Sequence, residues 1–200
     1  MLDTILNVDG EEGQSIPLIV DSPHSGVIYP SDFNHQAEFS KLRQAEDSYV
    51  DELYNYVSEI GGVILNANFP RSYIDPNRAE TDFPSEELID FDVKKEKFLF
   101  NPTIKSELGI GLIWLRIPPN GEPMYANKIK FSEFIHRVKN YHRPYHKTPL
   151  LICDLISFNK LPIFVFKRSK LSDFILVISS IYNLLLTSIW TEFLFVLGSL

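Results

Sequence analysis

The chain of 200 residues contains one cysteine, Cys153, which can form neither an internal disulfide bond nor a thiolate cluster around a metal. The chain also lacks an excess of basic charge, because 26 acidic side chains outnumber 19 basic ones and the formal net charge is −7. Nucleic acid binding is therefore not expected, since it requires positive charge against the phosphates. The N-terminus has no basic stretch followed by an apolar run, so a cytoplasmic location is predicted.

Charge is scarce from residue 149 onward. Residues 1–148 hold 23 acidic side chains, 15 basic side chains and all five histidines, whereas residues 149–200 hold three acidic and four basic side chains. Residues 174–190 carry no charge, and the stretch 174–197 approaches the length and polarity of a membrane-spanning helix. We therefore predict an N-terminal domain over residues 1–148 and an apolar helical tail over residues 149–200.

Three interpretations of this tail are open. The abrupt change to Leu, Ile, Phe and Ser, with one glycine in residues 149–200, favours the product of a shifted reading frame. One alternative is a genuine replacement that serves as a membrane anchor or a dimerisation helix, and the other is a segment buried in the core. A membrane partner, through residues 174–197, follows from the membrane-anchor interpretation.

Within residues 1–148 the hydrophobic pattern is that of an α/β fold. The apolar run 15–20 predicts a strand that ends in the turn-rich loop 21–26, and apolar residues at helical spacing predict a helix over residues 39–60. Residues 63–65 predict a second strand, and a strand, a helix and a strand in this order imply a parallel crossover. The later predictions are a surface excursion over 80–105, a strand over 110–117, and a helix over 125–146 that Pro144 interrupts.

Two groups of side chains in the first half of the chain could bind a metal or take part in catalysis. His24 lies on a tight loop at the end of a predicted buried strand, which presents its imidazole to a cleft, although loop histidines are more often surface groups. Glu46 and Asp47 lie in the predicted helix, and Asp47 would share a helix face with Asp51. A cation would relieve the repulsion between these two carboxylates, although acids on helices are more often merely solvated.

A third group lies on the irregular loop that follows the second predicted strand. Arg71 and Arg78, together with Asn77, could form a fork that binds carboxylates through charge-assisted hydrogen bonds. The alternative is that the arginines form ion pairs with Asp75 and Glu80, which are close in the sequence.

Six segments occur in the order and spacing of one enzyme family. They are DSPHSGVIYP at 21–30, EDSYVDEL at 46–53, PRSYIDPNR at 70–78, GIGLIW at 109–114, GEPMY at 121–125 and YHRPYH at 141–146. On these segments the chain resembles the N-formylglutamate amidohydrolase family over about residues 13–148. The resemblance implies an α/β sandwich around a mixed sheet, like that of zinc carboxypeptidases and aspartoacylases, which is truncated in this chain. It also implies one catalytic Zn²⁺ and a small acidic acyl-amino-acid substrate, N-formyl-L-glutamate, hydrolysed to formate and L-glutamate in histidine degradation.

The resemblance also assigns roles to particular residues. His24 matches the first zinc-binding histidine, and Asp47 is chosen as the acidic zinc ligand, with Glu46 as its competitor. The residues that match the carboxylate-binding elements of the family are Arg71, Asn77 and Arg78.

The sequence departs from the family pattern after residue 146. Family members carry a further zinc-binding histidine and a catalytic glutamate in later segments, whereas no histidine follows His146 in this chain. The acids beyond that point are Asp154, Asp173 and Glu192. Because Pro144 lies between His142 and His146, we expect structural or supporting roles for these two histidines rather than direct metal binding.

We therefore expect a zinc-dependent hydrolase of the N-formylglutamate amidohydrolase type that is incomplete and has little or no activity, because its general base is not identified. Loss of a general base alone typically lowers a rate by a factor of about 10²–10⁴. The alternatives are a non-catalytic protein associated with membranes through residues 174–197 and a non-catalytic protein that binds carboxylates.

Overall fold

The structure is a computed structural model that describes residues 5–16, 18–148, 163–170 and 173–179. The strands of the described residues are β1 (Leu6–Asp9), β2 (Leu18–Ser22), β3 (Val63–Ala67), β4 (Leu88–Ile89), β5 (Arg116–Ile117), β6 (Glu122–Pro123), β7 (Ile129–Lys130), β8 (Ile163–Lys170) and β9 (Asp173–Ser179). The helices are α1 (Phe39–Ala45), α2 (Val50–Tyr54), α3 (Tyr56–Glu59), α4 (Val93–Glu96), α5 (Ile104–Glu107), α6 (Phe131–Arg137) and α7 (143–148), with a 3₁₀ turn at Ser85–Glu87 and a π turn at Val138–His142.

The main sheet has the strand order β1-β3-β2-β8-β9. β2 is parallel to both β3 and β8, whereas β1 and β9 are antiparallel to their neighbours. The predicted strand, helix and strand crossover is therefore confirmed, with α1 to α3 lying between β2 and β3 in the sequence. Ile19, Val63, Ile64 and Leu65 are fully buried in the two parallel strands, as expected of strands covered on both faces. The mixed α/β architecture agrees with the sequence prediction.

The predicted single helix over residues 39–60 is wrong. The segment forms three short helices, and the chain leaves helical geometry at Glu46 (φ −96°, ψ 154°) and again at Tyr49, whose φ is +66°. The buried Glu46 side chain is held by tertiary hydrogen bonds from outside the segment, and these outweigh the local helical pattern. As a result Asp47 and Asp51 do not share a helix face.

Two other predictions for the middle of the chain are wrong in part. Within residues 110–117 the strand β5 is limited to the last two residues, and Leu112, Ile113 and Trp114 form a buried loop instead. Its backbone bonds go to other loops, since Leu112 N–H donates to the Asp82 carbonyl. Residues 80–105 are not merely a surface excursion, because Phe83 is fully buried.

The aromatic rings of this excursion join a cluster with the first turns of α6. Ring centroids of Phe83 and Phe98 lie 5.3 Å and 5.6 Å from that of Phe134, and the Phe100 centroid lies 5.2 Å from it. Aromatic pairs at such separations contribute stability beyond the area they bury. The acidic excursion is thus anchored to the core by its phenylalanines.

The helix at residues 131–148 passes through Pro144 without interruption, contrary to the sequence prediction. The π turn at Val138–His142 precedes the proline, and Arg143 N–H donates to the Val138 carbonyl five residues earlier. Proline in a regular helix removes one hydrogen bond and presses against the carbonyl four residues before it. A π turn changes the hydrogen-bonding pattern at that point, which lets the helix continue as α7.

The described part of the tail is extended and not helical. β8 and β9 pair as antiparallel strands from Ile163↔Ser179 to Lys170↔Asp173, and β8 also pairs with β2. The prediction of an apolar helix is therefore wrong for these residues, in which β-branched and aromatic residues favour strands. The remainder of the predicted membrane segment, residues 180–197, lies outside the described residues. In the described part of the chain, no helix has the length and apolar character needed to cross a membrane.

Candidate active site

The site is built at the carboxyl end of β2, where the chain turns sharply. His24 follows this strand and is 3% exposed. Gly26 permits the turn, because a Cβ atom at this position would lie 2.2 Å from the Phe69 carbonyl oxygen. The predicted histidine on a tight loop is therefore buried and packed against the end of β3, rather than on the surface.

The break between α1 and α2 brings a carboxylate to this histidine. Asp47 Oδ2 lies 3.1 Å from His24 Nδ1. Ser25 ties the two segments together, since its hydroxyl donates to the Asp47 carbonyl and accepts from the backbone N–H groups of Val50 and Asp51. Ser25 thus serves as a cap for α2 from a distant part of the chain, a role that the local sequence did not indicate.

A second carboxylate, Asp75, meets the other edge of the imidazole. Its Oδ1 atom lies 2.8 Å from His24 Nε2 and accepts a hydrogen bond from the backbone N–H of Asn77. Its Oδ2 atom accepts a hydrogen bond from Arg71 at 2.8 Å. Sequence reasoning considered Asp75 as an ion-pair partner of the arginines and missed its contact with His24. The Asp-Pro-Asn turn next to two arginines is a local signal that could have indicated a buried acceptor.

Mutual attraction between these groups determines their protonation. Burial alone lowers the pKa of His24, but the charge of Asp75 and hydrogen bonds to Asp47 and Asp75 more than offset it, so that the pKa is raised above 6.5. Burial raises the pKa of Asp75, but the His24 and Arg71 charges and hydrogen bonds outweigh burial and hold that pKa far below its usual range. Asp75 is therefore negatively charged at neutral pH, although it lies in the interior.

The three predicted carboxylate-binding residues lie beside this cluster. The Arg71 guanidinium donates to Asp47 and Asp75 and lies 5.2 Å from the centroid of a Trp114 ring. Arg78 Nε is 3.9 Å from Asp75 Oδ2, and this buried nitrogen has no hydrogen-bond partner among the described residues. The ion pair of Arg71 with Asp75, which was the alternative considered from the sequence, is thus present. The Arg78 guanidinium makes fewer and longer contacts with carboxylates than that of Arg71.

Glu46, the competitor for the role of acidic ligand, is directed elsewhere. Its carboxylate accepts hydrogen bonds from the hydroxyl groups of Tyr29 and Ser72 and from Arg43 at 3.1 Å. Its side chain is fully buried. Of these two candidate ligands, Asp47 is therefore the one that contacts His24, and Glu46 anchors the backbone immediately before it.

His142 and His146 lie on one side of the helix that follows the π turn, with ring centroids 4.4 Å apart. Their Nε2 atoms lie 2.8 Å from the carbonyl oxygens of Arg78 and Pro76. A cavity of about 460 Å³ opens here, and its walls include Arg78, Glu80, His142, Arg143, His146 and Lys147. The two histidines contact the loop that carries Asn77 and Arg78, in keeping with the expectation of a supporting role.

The geometry around His24 is compatible with two ligands of a tetrahedral zinc ion. Zinc binds histidine nitrogen and carboxylate oxygen at about 2.0–2.2 Å, so two ligand atoms at a tetrahedral angle lie about 3.3 Å apart. His24 Nδ1 and Asp47 Oδ2 are 3.1 Å apart. Asp75 on Nε2 would orient the ring, as carboxylates commonly do for zinc-bound histidines. In the described part of the chain, no group of three or more His, Cys, Asp or Glu side chains could hold a metal.

Comparisons with known proteins identify the family of this chain. No curated protein gives a significant match. A crystal structure of N-formylglutamate amidohydrolase from Ralstonia eutropha JMP134 is similar, with a TM-score of 0.75 and 34% sequence identity. The match covers 82% of this chain and 57% of that one, so the chain spans little more than half the length of that relative. The sequence model of the N-formylglutamate amidohydrolase family matches residues 16–148. The chain therefore belongs to the N-formylglutamate amidohydrolase family.

Proposed function

We propose that the chain is a metal-dependent amidohydrolase that converts N-formyl-L-glutamate to formate and L-glutamate. The contact that supports this best is the buried His24 imidazole between Asp47 and Asp75, at 3.1 Å and 2.8 Å. Family membership over residues 16–148 supports the substrate class. The same proposal includes a sandwich like that of zinc carboxypeptidases, which the parallel strands at the centre of the main sheet support. It also includes a cytoplasmic location, which the presence of a single cysteine supports.

His24 Nδ1 and Asp47 would hold the Zn²⁺ ion. When bound, zinc supplies a polarising charge for the formyl carbonyl and lowers the pKa of a water molecule to about 7. Asp75 accepts the Nε2 proton of His24, which leaves Nδ1 with a lone pair for the metal. Arg71 bonds to both carboxylates and so keeps them in place on either side of the ring.

The guanidinium of Arg78 would bind a carboxylate of the substrate, with Asn77 beside it and Arg71 adding positive charge nearby. Arg78 has a 25% exposed side chain, whereas Arg71 is 8% exposed and already engaged. Charge-assisted hydrogen bonds to a carboxylate are about twice as strong as neutral ones. The Nε atoms of both arginines are buried without a hydrogen-bond partner among the described residues, so the greater exposure of the Arg78 side chain is what favours it as the ligand-binding group.

We also propose that hydrolysis by this chain is slow. His24 and Asp47 are the two ligands that we propose for the metal, and Asp47 and Asp75 are both engaged in ion pairs. A general base next to the reacting water is worth a factor of about 10²–10⁴ in rate, and none of the described residues is assigned to that role.

Binding of carboxylates without turnover is the second candidate function. The cavity of about 460 Å³ beside Arg78 is large enough for a small dicarboxylate, and its walls carry more basic than acidic groups. Under this hypothesis L-glutamate and N-formyl-L-glutamate bind through Arg78 and neither is changed.

The test combines metal content, ligand binding and formate release in the full chain. We expect substoichiometric or weakly held zinc, binding of N-formyl-L-glutamate by calorimetry, and formate release far below ordinary enzyme rates. Asp47→Asn is expected to abolish zinc binding, whereas the matched control Asp51→Asn is not, because the contact with His24 is made by Asp47.

The possible outcomes separate the two functions. Ordinary turnover with one tightly bound zinc would contradict slow hydrolysis and support the enzyme function in full. Binding that Arg78→Ala abolishes, with no formate release in any sample, would favour the carboxylate-binding function. Absence of both zinc and ligand binding would refute both proposals.

A further inference from the structure

The helix over residues 138–148 supports the loop that carries the carboxylate-binding residues. The π turn at Val138–His142 is followed directly by α7, and together they place the rings of His142 and His146 side by side. Both rings contact the loop between Asp75 and Glu80, which packs against this face of the helix. The histidines therefore contact the loop through its backbone.

The contacts are specific hydrogen bonds to main-chain carbonyl groups. His142 Nε2 is 2.8 Å from the Arg78 carbonyl oxygen, and His146 Nε2 is 2.8 Å from the Pro76 carbonyl oxygen. A carbonyl oxygen can only accept, so both imidazoles must carry hydrogen on Nε2. The two bonds therefore fix the peptide plane between Pro76 and Asn77 and the peptide plane between Arg78 and Ala79.

A third contact holds the end of the loop to the same helix. Arg143 donates to both carboxylate oxygens of Glu80, with Nε–Oε1 at 2.9 Å and Nη2–Oε2 at 2.8 Å. Bidentate pairs of this kind restrict orientation as well as distance. The segment from Pro76 to Glu80 is thus attached at three points to residues 142–146 of the helix.

We propose that His142 and His146 are positioning residues that set the geometry of carboxylate binding by holding the backbone of residues 76–78. The inference rests on the proposed function for the role of Arg78, whose guanidinium leaves the loop at the residue whose carbonyl His142 binds. A displacement of about 1 Å is enough to weaken binding and catalysis strongly. The helix therefore helps to determine where the guanidinium lies, together with the hydrogen bonds from the Asn77 and Arg78 N–H groups to Asp75.

The first experiment measures backbone hydrogen exchange of residues 75–80 in the full chain, without ligand. His142→Leu and His146→Leu remove the donors, and His142→Gln and His146→Gln restore a donor at a similar distance. His136→Leu is the matched control, because His136 is on the same helix and half-exposed. His146 is an exposed residue, so its variants remain informative if those of the buried His142 do not fold.

We expect faster exchange at residues 75–80 in the leucine variants, recovery in the glutamine variants, and no change in the control. Unchanged exchange at this loop in both leucine variants, with the protein folded, would overturn the inference. Faster exchange spread evenly over the whole chain would also overturn it, because a merely structural role would lower global stability without selecting the loop.

The second experiment measures binding of N-formyl-L-glutamate by calorimetry in the same variants. Loss of one hydrogen bond of this kind is expected to weaken affinity about three- to tenfold per histidine, with recovery in the glutamine variants. Wild-type affinity in both leucine variants would overturn the inference while leaving the proposed function intact. If the native chain binds no N-formyl-L-glutamate, the proposed function and the carboxylate-binding role of the loop are refuted. Faster hydrogen exchange confined to residues 75–80 in the leucine variants would in that case still support the positioning of the backbone by the two histidines.

Discussion

Replacement of Asp75 by asparagine is expected to destabilise the fold strongly. Asp75 is fully buried and accepts hydrogen bonds from His24, Arg71 and the Asn77 N–H, each at 2.8 Å. Asparagine has nearly the same volume, so Asp75→Asn creates no cavity, but it removes the charge and replaces one of the two acceptor oxygens with an NH₂ donor. Arg71, which is 8% exposed, then keeps a single carboxylate partner, and His24 faces a neutral amide.

The magnitude follows from the burial of the partners. Breaking a buried ion pair by removing one member costs about 3–5 kcal/mol, because the remaining charge stays desolvated. We expect the lower part of this range, about 3 kcal/mol, since Asp47 still neutralises part of the Arg71 charge. In a chain of this size the midpoint of thermal unfolding would fall by roughly 6–12 °C.

Urea unfolding at pH 7, followed by circular dichroism, measures this change. Glu52→Gln is the control, because Glu52 is an exposed helix residue whose neutralisation is expected to change stability by less than about 0.5 kcal/mol. A loss below about 1 kcal/mol in Asp75→Asn would show that the cluster around His24 is solvated, and the reasoning from a buried charge would fail.

Three other changes test the same structure. Gly26→Ala places a methyl group 2.2 Å from the Phe69 carbonyl oxygen, so we expect a loss of about 3 kcal/mol by urea unfolding, and near-native stability would refute the close packing. The pKa of Glu80 is lowered by hydrogen bonds from Arg143, so this pair stabilises the fold above about pH 4.5 and its contribution is lost as the pH falls further. Glu80→Gln should therefore reduce the acid dependence of unfolding by at most about 1 kcal/mol, and an unchanged pH profile would contradict the pairing. Glu46→Gln should cost about 1–3 kcal/mol, since three buried or half-buried donors lose a charged acceptor, and a neutral effect in thermal unfolding would argue against its anchoring role.

The sequence indicated the strands of the site well because their signals are local. The apolar runs before His24 and after Gly62 are short and bounded by turn residues, and both became parallel strands. The turn-rich loops that follow them were also predicted, and they bring His24 and Arg71 within reach of the same two carboxylates.

The sequence failed where distant contacts outweigh local pattern. Apolar spacing continues through residues 39–60, but hydrogen bonds from Tyr29 and Ser72 draw Glu46 inward and stop α1. Neither partner is close in the sequence, so no periodicity could have indicated the break. The contact between Asp75 and His24 was missed for the same reason, because the two residues are 51 positions apart.

The π turn at Val138–His142 also determines which residues point toward the loop. Each residue of an α-helix advances the side-chain direction by about 100°, so the phase of everything after the turn depends on the number of residues within it. If the same residues formed a regular helix, Pro144 would press against a carbonyl group and the side chains after the turn would point in another direction. The length of this one turn, more than the identity of the residues that form it, therefore sets the alignment between the helix and the arginine-bearing loop.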